Sequence, residues 1–463
     1  MPNQTADSPD YVLPIVATMR TRWQTIDDVS GGHETVTAAT TKYLPKEPDE
    51  KQASYDLRLS KAIWYDAFNQ TVDGITGIAF STQPMLGDDV PKQISEMAEN
   101  ANMVGDHLNV VGKSWFDGAL RKGIMYALVD MPEFNEQVRS LADQRRLGIR
   151  PYVKLIDAKD VISWRYDVVA GQIVLTQAVI AETVSEPDGV FGSSNVEQWR
   201  VLRPGAWEIW RKDKKGDVFI YQEGTTSLNR IALVPLDLDK KSGFMMAKPP
   251  LMGLAQLNIA HYQIYTDTRH SAHIASVPMF SATGIDKDEF GKVTISANVA
   301  MVSERPDAQF GWISYDGAGV NLNRELMQDI ERQMSVIGLS ILSDNDTEVT
   351  AYEKSIDTAQ SQSKLYSWVM AYKDAMENVL QLMAEFMGEK SGGTYQVNDD
   401  MLMQPLSAEE MARYSDMVGK GQMTLRTMFK MLQQGKRLPA DFDIDVEIDE
   451  LESETGGVMT GDE

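Results

Sequence analysis

The sequence predicts an α+β chain organised around two helices that bracket a block of strands, and three observations predict it. Leu251 to about His273 carries its inward positions at Leu251, Leu254, Leu257 or Asn258, Ala260, Ile264 and Tyr265, a helical period. A second helix opens near Asn321 and places Leu322, Leu326, Ile330, Met334, Ile337 and Ile341 on one stripe. Between them, Ser276 to Gly319 holds β-branched and aromatic runs (Val293 to Ile295, Val299 to Val302, Phe310 to Tyr315) broken by Pro278, Gly284, Gly291, Pro306 and Gly317. Such a hairpin spans roughly 30 to 35 Å at about 1.5 Å per residue. It cannot bury both of its faces alone and needs neighbours from the chain or from other copies.

The elements before it change period once. Tyr11 to Arg22 reads as a short helix ending before a loop at Gly31-Gly32, and Thr41 to Asp49 as extended. Ser54 to Phe68 reads as a strong helix with Leu57, Leu59, Ile63, Trp64 and Phe68 inward, continuing to a break at Gly74 and Gly77. Helical spacing returns at Gln93 to Val104 and Asp106 to Met125, with Leu108, Val111, Trp115, Leu120 and Ile124 inward. Met125 to Asp130 is a strand, and Asn135 to Gly148 an Arg-rich polar helix or excursion. Beyond Arg150-Pro151, the runs Tyr152 to Ile156, Val161 to Tyr166, Ile173 to Thr183, Glu197 to Leu202, Ala206 to Arg211, Val218 to Tyr221 and Ile231 to Leu236 read as antiparallel strands. Their connections carry turn residues such as Pro187-Asp188-Gly189 and Pro204-Gly205.

After the hairpin comes a polar connector, Ser343 to Thr350, then a very long helix from about Glu353 to Gly388. Ser407, with Glu410 three residues on, opens a last helical module. Pro439 to Glu463 holds ten acidic residues and no Lys or Arg, which predicts a solvated, partly disordered tail.

Composition narrows the function. With 463 residues, 43% hydrophobic and 24% charged, the chain suits a soluble protein of two or more domains. No run approaches the roughly eighteen apolar residues of a membrane helix, and Met1 to Asp10 does not read as a signal peptide. The absence of cysteine removes disulfides and thiolate chemistry, and synthesis and folding in the cytoplasm is the simple expectation. A net charge of −24 opposes tight gripping of a polyanion over the whole surface while permitting brief, sliding contact with DNA.

Chemical motifs are few. Val111-Gly112-Lys113-Ser114 invites a phosphate-loop reading, but His107 stands where the motif needs its first glycine. His261, His270 and His273 share one helix, with Asp267 as a possible carboxylate, yet no metalloprotease pattern surrounds them. Asp344, Asp346 and Glu348 alternate as in a calcium loop, but Val349 replaces its glycine and Ser355 its final acid. No nucleophile elbow and no dinucleotide fingerprint appears. The expectation is therefore no enzyme, no cofactor and no metal.

The order of these elements, with Tyr43-Leu44-Pro45, Tyr55 and Arg58, Gly74 to Pro84, Pro249-Pro250-Leu251 to Gln263, Val277-Pro278, Trp312 to Gly319 and Gly421 to Leu438, resembles the tailed-bacteriophage portal proteins, the head-to-tail connectors. The resemblance implies a portal-like α+β fold with a helical and β-rich wing, a two-helix stem, a small α/β clip, a long helix and a helical crown. It places the N-terminal wing at 1–249 (helical to about 124, β-rich over 125–236) and stem helices at 250–275 and 320–342, with the clip at 276–319 between them. It also implies a tunnel loop at 343–352, the long wing helix at 353–400, and crown and acidic tail at 401–463.

The implied role is a dodecameric ring at a virion's capsid vertex, assembled in the host cytoplasm, through which DNA is packaged and ejected. Implied partners are the terminase large subunit, a head-completion adaptor, the major capsid and scaffolding proteins, and transient double-stranded DNA, with no membrane. Asp344, Asn345, Asp346, Thr347 and Glu348 would face DNA. Pro278, Phe280, Phe290, Val293, Ile295, Val299 and Trp312 would form the docking clip. Leu254, His261, Tyr265, Leu326, Ile330, Met334 and Ile337 would meet neighbouring stems. Another phage head or baseplate component, or a cytoplasmic enzyme, stays open as an alternative.

Overall fold

The computed structural model describes residues 6–132, 148–276, 279–284, 306–313, 318–339, 351–397, 408–434, 438 and 442–456. The chain is α+β. Its N-terminal helices are α1 (Pro14–Ser30), α2 (Gly32–Ala38), α3 (Gln52–Ser60), α4 (Ala67–Ala79), α5 (Lys92–Ala98) and α6 (Leu108–Lys122). The short strand β1 (Met85–Leu86) pairs antiparallel with β12 (Tyr395–Gln396).

Three strands, β2 (Ile124–Asp130), β3 (Tyr152–Ile156) and β9 (Leu233–Asp237), form an antiparallel sheet with β2 in the middle. Five more form an antiparallel meander in chain order: β4 (Val161–Val169), β5 (Gln172–Asp188), β6 (Gly192–Arg203), β7 (Ala206–Lys212) and β8 (Val218–Thr225).

The layers explain why β2 reads as a continuous apolar run. On one face Ala127 and Val129 join the main core with the helices, and on the other Ile124, Tyr126 and Leu128 join a second core. That second core is closed by Val16, Met19 and Trp23 of α1 and by Val161, Trp164, Ala178 and Ile180 of the larger sheet. A strand buried on both faces has no polar side to alternate. Polar groups stitch the two sheets as well. Glu182 of β5 pairs with Lys154 of β3 at 3.0 Å and with Arg200 of β6 at 3.1 Å, and Arg200 reaches Asp130 of β2 at 3.2 Å. Burial alone would raise the Glu182 pKa, but the Arg200 and Lys154 charges and their hydrogen-bonding partners hold it below the usual range.

Several expectations change. The first helix is longer than 11–22, running from Pro14 to Ser30, where Val16, Met19, Trp23, Ile26 and Val29 give it one continuous buried face. Helix α4 runs through Gly74 and Gly77 without breaking, because Phe68, Thr71, Val72, Ile75 and Ala79 bury one side of it. That burial outweighs a glycine propensity cost of about 1 kcal/mol each. Helix α3 stops at Ser60, and Leu57 and Ile63, expected inward, are exposed, whereas Tyr55 and Arg58 are buried.

Residues of the acidic tail form a helix, α12 (Ile444–Gly456), which follows α10 (Ala408–Gly419) and α11 (Leu425–Gln434). Between strands and tail lie α7 (Met252–Ala275), β10 (Met279–Thr283), β11 (Gln309–Ile313), α8 (Ala318–Met334), a π turn at Ser335–Leu339 and the long α9 (Ala351–Met387). The expected helix over 135–148 lies outside the described residues, apart from Gly148.

The last residue of β9 supplies a test of the electrostatics. Burial first, and then the Asp239 charge, push the half-buried Asp237 carboxyl up to about 6 from 3.8. An acid with a raised folded pKa favours the folded state most when protonated, so its contribution is lost as pH rises from the unfolded value through the folded one. Asp237→Asn keeps an acceptor for the Asp239 N–H, now 2.8 Å away, and removes the charge. The variant is expected to be more stable by about 1–3 kcal/mol near pH 7 and by almost nothing near pH 4. Urea titrations at both pH values check this, and an equal gain at both would refute it.

Candidate functional site

Helix α7 is the best-anchored element of the bracketing pair. It leaves Pro249-Pro250 with Met252 N–H donating to Pro249 O, and buries Leu254, Ala255, Asn258, His261, Tyr262 and Thr266. Four polar side chains fasten it to the N-terminal region. Asn258 accepts from the Phe68 N–H at 3.0 Å and donates to Tyr65 O at 2.7 Å, so it caps the start of α4 from a distance. Gln263 donates to Tyr43 O at 2.8 Å, and Arg269 to Lys61 O at 2.9 Å.

The fourth link is Asp267, which accepts from Arg58 at 2.9 Å. Arg58, with its side chain 4% exposed, also holds Glu50 through two nitrogens at 2.9 and 3.1 Å and donates to Pro45 O at 2.8 Å. Burial lowers the Arg58 pKa, but Glu50 and Asp267 reverse that and raise it. Burial raises Asp267 against the pull of Arg58, as expected for a carboxylate that shares its cation.

Helix α8 packs against α7 and is much less enclosed. His261 Nε2 meets Glu331 Oε1 at 3.1 Å, Met334 is buried, and Ile330 is half-buried against the main core. Leu322, Leu326 and Ile337 of the same stripe are 57%, 45% and 40% exposed, with Val336 beside them at 60%. Leu322 and Leu326 lie toward the tip, where among the described residues α8 has α7 on one side and no other element to cover it, while Val336 and Ile337 lie past Met334 in the turn at the base.

At the tip, β10 and β11 pair antiparallel with Phe280 opposite Trp312 and Ala282 opposite Phe310, so the four share one face. The Phe280 ring lies 5.3 Å from Trp312 and 6.2 Å from Phe310, and Trp312 is 58% exposed. A two-stranded sheet with an uncovered aromatic face is marginal by itself.

The sequence-derived residues therefore divide. Leu326, Ile337 and Trp312 are exposed, Phe280, Tyr265 and Ile330 half-buried. Leu254, His261 and Met334 are enclosed by their own chain, Leu254 and Met334 within its main core and His261 against Tyr65, Tyr265 and Glu331. Pro278, Phe290, Val293, Ile295, Val299 and Asp344 to Glu348 lie outside the described residues.

The Gly112 of the phosphate-loop look-alike has a packing reason. It lies within α6, where an added Cβ would sit 2.0 Å from the Tyr372 hydroxyl. That hydroxyl bonds Tyr395 Oη at 3.1 Å, which donates to Asn109 at 3.0 Å. His270 is half-buried and His273 exposed, further along α7 toward the tip than His261. Sequence reading missed Glu50 and Glu331, and the only signal for the first is a carboxylate just ahead of a helix with an arginine on its apolar side.

A family model described as a domain of unknown function, DUF4055, matches residues 250–387, from the start of α7 to the end of α9. No curated protein matches the chain. Solved structures similar to it include a chain of the neck of an empty GTA particle computed with C6 symmetry, 10% identical, covering 87% of this chain and 98% of that one, TM-score 0.45. A chain of the neck of a native GTA particle computed with C12 symmetry is 10% identical over 86% and 99%, TM-score 0.43. One from the virion of a native gene transfer agent (GTA) particle is 8% identical over 83% and 93%, TM-score 0.42.

Proposed function

We propose that this chain is a portal-type ring subunit at the capsid vertex of a tailed phage or phage-like particle, through whose centre DNA passes during packaging and ejection. The observation that carries the reading is the α7–α8 hairpin. One helix is fastened to the body by Asn258, Gln263, Asp267 and Arg269, while the other leaves Leu322 and Leu326 exposed and the turn after it leaves Val336 and Ile337 exposed. The tip adds an aromatic strand pair that is marginal alone. A row of identical hairpins standing side by side around an axis covers α8 of each copy with the next, a heterologous contact that closes on itself.

In this reading α7 and α8 are the stem and β10–β11 part of the clip, which docks first the terminase large subunit and then a head-completion adaptor. The N-terminal helices, both sheets and α9 are the wing, residues 343–352 the tunnel loop, and α10–α12 part of the crown. A net charge of −24 per copy keeps passing DNA from being held by repeated ion pairs. The test is the sedimentation mass of the purified chain together with negative-stain images. The expected result is a closed ring of many copies, a dodecamer in the particle, with a central opening. A compact single chain at high concentration, or a large assembly with no channel, overturns it.

A further inference from the structure

The connection from β9 to α7 and the outer side of α9 enclose a cleft of about 690 Å³ lined by Lys240, Lys241, Lys248 and Lys364. Every lysine ion pair among the described residues involves some other lysine. Three carboxylates also line it, the exposed Asp374 and two that accept hydrogen bonds from the cleft's own wall. Asp239 accepts from Ser242 Oγ at 2.6 Å and from the Lys248 N–H at 2.8 Å, while Asp237 accepts from the Asp239 N–H at 2.8 Å. Burial shifts the Lys364 amine down against the pull of Asp239, with the Lys241 charge adding a lesser push in the same direction as burial. The floor is apolar, with Leu238, Pro249, Pro250 and Trp368, whose Nε1 donates to Leu238 O at 3.2 Å.

In a chain with 68 acidic residues against 44 basic ones, four lysines without an ion pair, one of them over the Trp368 ring, against three carboxylates give this cleft a net positive lining that suits an incoming anion. The chain carries one of matching form. Helix α12 holds Asp445, Glu447, Asp449, Glu450, Glu452 and Glu454 with no lysine or arginine. At 13 residues it is about 20 Å long, and Val446 beside the acids is 52% exposed. In its own chain α12 packs on α11, where Asp445 meets Arg426 at 2.6 Å, and among the described residues none of α10, α11 or α12 lines the cleft.

We infer that the lysine cleft of one copy receives the acidic helix α12 of a second copy. The inference rests on the ring reading only in needing a neighbour. It ties the C-terminal helices of one subunit to the base of the next subunit's stem, and the contact weakens with salt because its charges remain partly hydrated.

Full-length chains labelled with nitrogen-14 and nitrogen-15 are mixed, assembled and treated with a zero-length carbodiimide, which joins lysine amines to carboxylates in contact. The expected products join Lys240, Lys241, Lys248 or Lys364 to acids within 445–454 in mixed-label pairs. Reversing Lys240 and Lys241 to glutamate, with Lys248 and Lys364 kept as the reacting amines, is expected to lower the yield at the remaining pair by about tenfold while far-ultraviolet circular dichroism stays unchanged. No such products, or products within a single label only, overturns the inference. Suppression of the products by short duplex DNA, with DNA binding lost in the charge-reversed variant, assigns the cleft to nucleic acid and also overturns it. Sedimentation of the same samples separates the two proposals: an assembled ring without these products leaves the ring and removes the contact, while a single chain at every concentration removes both.

Discussion

Replacing Arg58 by methionine is expected to lower the unfolding free energy by about 3–5 kcal/mol, the cost of leaving a buried ionic partner without its counter-charge. Methionine retains much of the arginine stem's volume, so the loss reports the guanidinium. Glu50, with its side chain 8% exposed, loses two hydrogen bonds and its ion-pair partner, and Pro45 O loses a donor. Asp267 is 42% exposed and can turn to water, which favours the lower end of the range.

The acid limb gives a second readout. Hydrogen bonds from Arg58, outweighing a small desolvation effect, hold the Glu50 pKa below its ordinary 4.5. Its contribution is therefore present above that value and lost as pH falls below it toward the folded pKa. The variant should lose this slope along with the stability. Denaturant titrations across pH measure both, and a loss below about 1 kcal/mol with an unchanged acid limb would mean that the cluster does not fasten α7.

The second large effect concerns assembly. Leu326→Asp combined with Ile337→Asp is expected to cost the single chain no more than about 2 kcal/mol, because the two side chains are 45% and 40% exposed. In a ring each substitution would put a carboxylate into an apolar contact, at several kcal/mol per interface, repeated at every junction. The sedimenting species should then be one chain. A ring of unchanged mass from this double variant would show that α8 does not face its neighbour.

Long periodic stretches were legible because their evidence is local. The spacing at 251–273 and 322–337 marks both helices of the hairpin, and alternation after Arg150 marks the strands within a few residues. What stayed hidden depends on partners distant in the chain. Arg58 looks like an outward charge until Asp267, more than two hundred positions later, is brought beside it. The same event turns α3 so that Tyr55 faces in and Leu57 faces out, against a reading that ranked residues by hydropathy alone. Gly74 and Gly77 misled in the opposite direction, since a local breaking tendency of about 1 kcal/mol loses to a helix face sealed by several large side chains. The division of the α8 stripe into covered and open parts could not be read from period at all, because period says which residues share a side and not what lies opposite.

The two bracketing helices are held in place unequally, and this has a mechanical consequence. Pulling or twisting the aromatic strand pair loads α7 through anchors at Asn258, Gln263, Asp267 and Arg269, spread over three helical turns, which makes that helix a rigid strut. Its partner is seated chiefly at its base, by Glu331 and Met334, and then runs into the widened backbone turn of Ser335–Leu339. Displacement at the tip therefore travels into the body along one rail, while the other can slide or tilt against it without breaking a comparable set of bonds.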